Sequence, residues 1–172
     1  GGIVRSAYFL GIDALVFAGR NSAPLNPVAI KTSAGAAENM TILGVTNEVA
    51  FIKQSKANGW RFYAADAPGP GSTLFDPLTP VDGSSGLSPD HLTQAPSVIM
   101  MGSEASGLSA HIKSHADAIV SIPGARLHEG MGVSSDPARV DSLNVSVAAA
   151  LLMEMFLRVP IAVSEVPSKG DR

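Results

Sequence analysis

An α/β fold with a mostly parallel sheet flanked by helices is predicted by three features of the sequence. Short β-rich runs alternate with longer helical patterns, the arrangement that arises when parallel strands are joined by crossover helices. Two of the runs, VIMM and AIV, are apolar without alternation, as expected of strands covered by helices on both faces. The 172 residues, 45% hydrophobic and 16% charged, suit one domain with a sizeable core and lie well away from a disordered composition.

The opening GGIVRSAYFLG reads as a helix in which Ile3, Ala7 and Leu10 fall broadly together and Arg5 falls on another face. The expected strands are ALVFAG at 14–19, TILGV at 41–45, RFYAAD at 61–66, SVIMMG at 97–102 and DAIVSI at 117–122. Between the second and third, NEVAFIKQSKANG sets Val49, Phe51 and Ile52 against Lys53, Gln54 and Lys56 and stops at Asn58-Gly59, the pattern of an amphipathic helix. The stretch SLNVSVAAALLMEMF, 142–156, reads as an apolar helix. Its polar opening, Asp141, Ser142, Asn144 and Ser146, offers acceptors to the orphan N–H groups of a first turn. Residues 68–96 are dense in Pro, Gly and Ser and are expected to form a surface insertion, as are residues 124–139; no internal repeat is visible.

The bulk properties exclude several functions. A formal net charge of −3 offers no chain-wide basic field, so any nucleic-acid contact must be local or supplied by another domain or subunit. The absence of cysteine removes disulfides, thiolate metal sites and a Cys nucleophile. No apolar run reaches the roughly eighteen residues a spanning helix needs, and no charged-then-apolar leader opens the chain, so a soluble chain without a membrane partner is expected. Of the histidines His91, His111, His115 and His128, only His111 and His115 are spaced like ligands; without a third donor they read as surface residues, and no metal is expected.

Ligands of open α/β sheets sit at the carboxyl ends of strands, so the turns after strands are where chemistry belongs. In GSEASGLS, 102–109, Gly102 and Gly107 allow close backbone approach before a helix start, and Glu104 sits inside the turn. A plain strand-to-helix connection accounts for it equally well. It is neither GxGxxG nor a P-loop nor GxSxG. The second turn is SIPGA, where Ile122 ends a strand and Pro123 stops the ladder; a simple strand exit is the alternative. The third is DSLNVS, for which a capped core helix is the alternative. If the three turns line one crevice, backbone at Gly102, Ile122 and Leu143 could hold a small adenine-bearing cofactor. Arg5 taken alone reads as a solvated arginine.

Together these segments resemble the SpoU-type RNA ribose 2′-O-methyltransferases of the SPOUT superfamily. GGIVRSA is similar to the family's first motif, a Gly-rich helix start carrying an arginine. IMMGSEASGLS is similar to the second, and SIP with SLNVSVAAALL to the third, while KTSAGAAE, 31–38, resembles the family's stretch between the first two. The resemblance runs in order along nearly the whole chain and is nearest to the ribosomal-RNA guanosine methyltransferases of the bacterial RlmB and mitochondrial large-subunit type. It implies an α/β fold closed by a C-terminal trefoil knot, an S-adenosylmethionine pocket at that knot and a homodimer that RNA enters across the interface. It further implies cofactor contacts at Gly102, Ile122 and Leu143, a catalytic cluster of Arg5, Glu104, Ser142 and Asn144, and a mitochondrial location. Glu104 is expected to fix Arg5. The helix over 142–157, apolar nearly all round, is the expected dimer contact. The first motif lacks the family's preceding Asn and strand, so residues 1–172 read as a catalytic domain truncated at its amino end. The 124–139 insertion separates IP from SLN more widely than the family does. A tRNA ribose methyltransferase and a catalytically silent RNA-binding or ribosome-assembly protein of the same fold are the competing expectations.

Overall fold

A computed structural model describes residues 1–18, 31, 33–67, 95–122 and 143–157. The expected insertion at 124–139, all but the last two residues of 68–96, Asp141, Ser142 and the chain crossing that would make a knot lie outside these residues.

The first helix, α1 (Gly2–Leu10), ends at Gly11, whose φ of 80° places it in the left-handed region, with the Ile12 amide returning to the Ala7 carbonyl at 2.9 Å. Ile3, Ala7 and Leu10 do share the inward face, and Arg5 is exposed. Two parallel ladders follow. In the first, β1 (Ala14–Ala18) pairs with β2 (Thr41–Val45), Ala14 opposite Thr41. In the second, β3 (Arg61–Ala65) is central, with β4 (Ser97–Met100) on one side and β5 (Ala118–Val120) on the other.

A short helix, α2 (Ala36–Asn39), precedes β2 and falls in the KTSAGAAE stretch. Helix α3 (Glu48–Ala57) is capped by Asn47, whose side-chain oxygen accepts from the Ala50 amide at 3.0 Å, and it stops at Asn58-Gly59 as the sequence suggests. Helix α4 (Ala110–Lys113) is capped by Ser109, and α5 (Val145–Leu157) closes the described fold.

The core forms where α5 lies on α1 and the sheets. Ala7, Ala149 and Met153 are buried together, and Leu15 of β1 and Ile99 of β4 pack against them, so both ladders meet the same seam. Small residues at 7 and 149 let the helices approach closely. Phe62, Tyr63 and Ala64 of β3 are buried, and Tyr63 meets Phe156 edge to face at 5.0 Å, which fixes α5 over the central strand.

The expectation of full coverage on both faces holds least at β5. Ile119 is 56% exposed, so among the described residues its face of β5 is left open. An unbroken apolar run reports a strand's composition, not whether anything lies against each of its faces.

Candidate active site at the carboxyl end of the second ladder

Strands β4 and β5 both run parallel to β3, so the turns that leave them emerge on one edge. With one strand between them, these exits are separated by roughly 10 Å, two interstrand spacings. Gly102 follows β4 and Ile122 follows β5, so the structure brings these two positions to the same edge of the ladder.

The turn after β4 is a small closed loop. The Gly107 amide donates to the Ser103 carbonyl at 2.8 Å, the Ser106 amide donates to Ser103 Oγ at 3.2 Å, and the two serine hydroxyls lie 2.8 Å apart. The loop closes directly over Gly102. A Cβ there would stand 2.1 Å from the Gly107 carbonyl carbon and 2.2 Å from the Leu108 nitrogen, so no other residue fits without moving backbone. Gly107 turns the chain with φ +66° and has open space around its Cα. This close approach makes a rigid platform with Glu104 exposed upon it.

Glu104 spans to the start of α5. Its Oε1 accepts from Asn144 Nδ2 at 2.8 Å and from the Val145 amide at 3.3 Å. Asn144 is the residue before the helix. Its carbonyl accepts the first intrahelical bond from Ala148 at 2.9 Å, and its Oδ1 accepts from the Ser146 amide at 2.9 Å and also from the Ser146 hydroxyl. The α5 start is therefore held by its own Asn and by a carboxylate from forty residues earlier. That contact also draws Leu143, 49% exposed, to the same end of the fold.

Arg5 stands apart from this cluster. Among the described residues no ion pair joins it to Glu104, whose carboxylate is committed to α5. Arg5 instead lines an open groove of about 1000 Å³ with Ser6, Tyr8, Phe9, Ser33 and Glu154. The expected Glu104–Arg5 pair is thus replaced by a Glu104–Asn144 pair. The physical reason is local: the amide donors of Asn144 and Val145 lie beside the carboxylate, whereas Arg5 projects from the exposed face of α1. Ser142 falls outside the described residues.

Two contacts went unread in the sequence. Asp66, following β3 between the two strand exits, pairs with Lys113 at 2.8 Å, and its carboxyl is held below the usual range by that hydrogen bond and by the Ala67 amide. Its position at the end of a central strand was the available signal. Ser146 was visible as part of the polar opening of the last helix, but its grip on Asn144 depends on the cap geometry.

His111 and His115 stack edge to face at 5.2 Å, and among the described residues no group of three or more ligating side chains could hold a metal ion. No described helix is long and apolar enough to cross a membrane.

Comparison with known proteins agrees with the fold. The "rRNA methyltransferase 1, mitochondrial" of Saccharomyces cerevisiae is 38% identical over 161 residues, which is 91% of this chain and 37% of that protein. The chain spans less than half the length of the curated relatives it matches. The crystal structure of the SpoU methyltransferase AviRb from Streptomyces viridochromogenes, in complex with AdoMet, superposes with a TM-score of 0.65 at 22% identity, covering 91% of this chain and 53% of that one. An RNA 2′-O ribose methyltransferase structure superposes with a TM-score of 0.62 at 26% identity, over 91% of this chain and 50% of the other. The SpoU rRNA Methylase family matches residues 1–154, and the chain belongs to that family.

Proposed function

We propose that the chain is the catalytic domain of an S-adenosylmethionine-dependent methyltransferase that modifies a ribose 2′-hydroxyl, a guanosine of mitochondrial large-subunit rRNA. The observation that carries this reading is the Glu104–Asn144 hydrogen bond, which joins the turn after β4 to the start of α5 at the ligand edge of a parallel ladder. Family membership supplies the methyltransferase class, and the yeast relative's name supplies the rRNA substrate and the compartment.

The residues at this edge fit the cofactor. Gly102, Ile122 and Leu143 present backbone and apolar surface, which suits an adenosyl group read by shape and main-chain hydrogen bonds. The cofactor supplies an electrophilic methyl group on a sulfonium. The protein must then bring a poor nucleophile into line and manage its proton. The Arg5 guanidinium offers only hydrogen-bond donors, so it orients the hydroxyl and stabilises the developing alkoxide without acting as a base. Asn144, its amide oriented by Glu104, and Ser142 place the nucleotide. A C-terminal trefoil knot, which the family resemblance implies, would complete the pocket.

A homodimer accounts for where Arg5 lies. Phe9 is 86% exposed and Val147 and Leu151 nearly half exposed, all on the α1 and α5 faces beside the Arg5 groove. A second copy covering this surface would remove it from water at roughly 25 cal/mol per Å² and bring Arg5 to the interface. Light scattering at micromolar concentration should give a dimer that Leu151→Glu dissociates; a wild-type monomer would overturn this part.

Calorimetric titration with S-adenosylmethionine, followed by methyl transfer to in vitro transcripts of mitochondrial rRNA and of tRNA, tests the whole reading. Binding with label on the ribose of the large-subunit transcript is expected. Label confined to tRNA would reassign the substrate, and binding without transfer to any RNA would favour a silent assembly protein.

A further inference from the structure

We propose that Ser146 is a positioning residue whose hydroxyl helps hold the Asn144 amide in its working place. The proposal rests on the reading above, in which Asn144 contacts the nucleotide. An asparagine amide has two orientations related by a half-turn, one end donating and the other accepting. Here Nδ2 donates to Glu104 Oε1 at 2.8 Å, while Oδ1 accepts from both the backbone amide and the hydroxyl of Ser146. The reversed orientation would set Oδ1 against a carboxylate oxygen and the amide hydrogens against the Ser146 N–H. The Glu104 carboxylate and the Ser146 backbone N–H therefore fix which end of the amide faces which, and the Ser146 hydroxyl adds a second donor that holds Oδ1 there.

The hydroxyl has a second consequence. A Cβ on Gly2 would meet Ser146 Cβ at 3.2 Å and Ser146 Oγ at 3.3 Å, so the first residue of α1 rests against Ser146. Arg5 lies one turn further along α1. Ser146 thus lies where the helix carrying Arg5 approaches the helix start carrying Asn144.

Ser146→Ala, Asn144→Ala and the double variant separate this role from a merely structural one. They are made in the full-length protein and assayed by single-turnover transfer from labelled S-adenosylmethionine to the large-subunit rRNA transcript. Alanine is the better helix former, so Ser146→Ala should fold at least as well as the parent. Its transfer rate should fall about five- to tenfold, the scale of one lost neutral hydrogen bond, with cofactor affinity within about twofold. Because Ser146 acts through Asn144, the double variant should be no slower than Asn144→Ala. A wild-type rate for Ser146→Ala alongside a slow Asn144→Ala overturns the proposal. So does a double variant slowed by the full product of the two single effects. If Asn144→Ala itself transfers at the parental rate, the placement of Asn144 in the site fails, and the role of Ser146 falls with it.

Discussion

Replacing Gly102 by alanine should damage the site more than any comparably small change nearby. The added Cβ would sit 2.1 Å from the Gly107 carbonyl carbon, and the obstacle is backbone, not the end of a flexible side chain. Ordinary contact requires the loop over 103–107 to retreat by about 1 Å or more. The retreat strains the Gly107–Ser103 hydrogen bond, 2.8 Å in the native loop, and carries Glu104 away from Asn144 and Val145. Overpacking of this kind costs about 1–3 kcal/mol, and each lost hydrogen bond adds about 1 kcal/mol. We therefore expect about 2–4 kcal/mol of destabilisation in urea unfolding and at least a tenfold loss of S-adenosylmethionine affinity by calorimetry. Gly107→Ala serves as the control, since its Cβ meets nothing and only the φ of +66° is penalised, by about 1 kcal/mol. An unfolding midpoint and cofactor affinity for Gly102→Ala equal to those of the parent would refute the reasoning.

Asn144→Ala removes a helix cap and should cost about 1 kcal/mol of stability in denaturant unfolding, together with a slower methyl transfer. Arg5→Ala should leave stability nearly unchanged, because the side chain is exposed, yet slow single-turnover transfer on the order of a hundredfold. A loss below about threefold would return Arg5 to the role of a surface arginine. Burial pushes the Tyr63 phenol above its usual pKa, so the fold favours the neutral form. Its contribution is complete below about pH 10 and is lost as pH rises beyond that, so stability should fall more steeply above pH 10 than in Tyr63→Phe. Equal slopes in the two proteins would contradict this.

The strands were legible because their apolar runs are short and bounded. TILGV coincides with β2, and RFYAAD and SVIMMG differ from β3 and β4 only at their carboxyl ends. Those ends peel away where the chain turns into the site, which composition cannot show. The last helix begins at Val145, three residues later than its sequence pattern suggests. The Glu104 carboxylate that meets its first amide comes from forty-one residues upstream, beyond any local signal. The motif resemblance placed Glu104 and Asn144 in one cluster, and the structure joins them, but it gave Glu104 the wrong partner. The resemblance paired Glu104 with Arg5; proximity to the helix start decided for Asn144. The strand-end position of Asp66 was a visible signal, but its pairing with Lys113, forty-seven residues further on, was not.

The measurement that bears most directly on the function is a map of 2′-O-methylated riboses in mitochondrial rRNA and tRNA from cells with and without the gene. The proposed function predicts the loss of a 2′-O-methyl guanosine in large-subunit rRNA, restored by the parental protein and not by the Arg5→Ala variant. Unchanged methylation of that rRNA, or restoration by Arg5→Ala to parental levels, would contradict it.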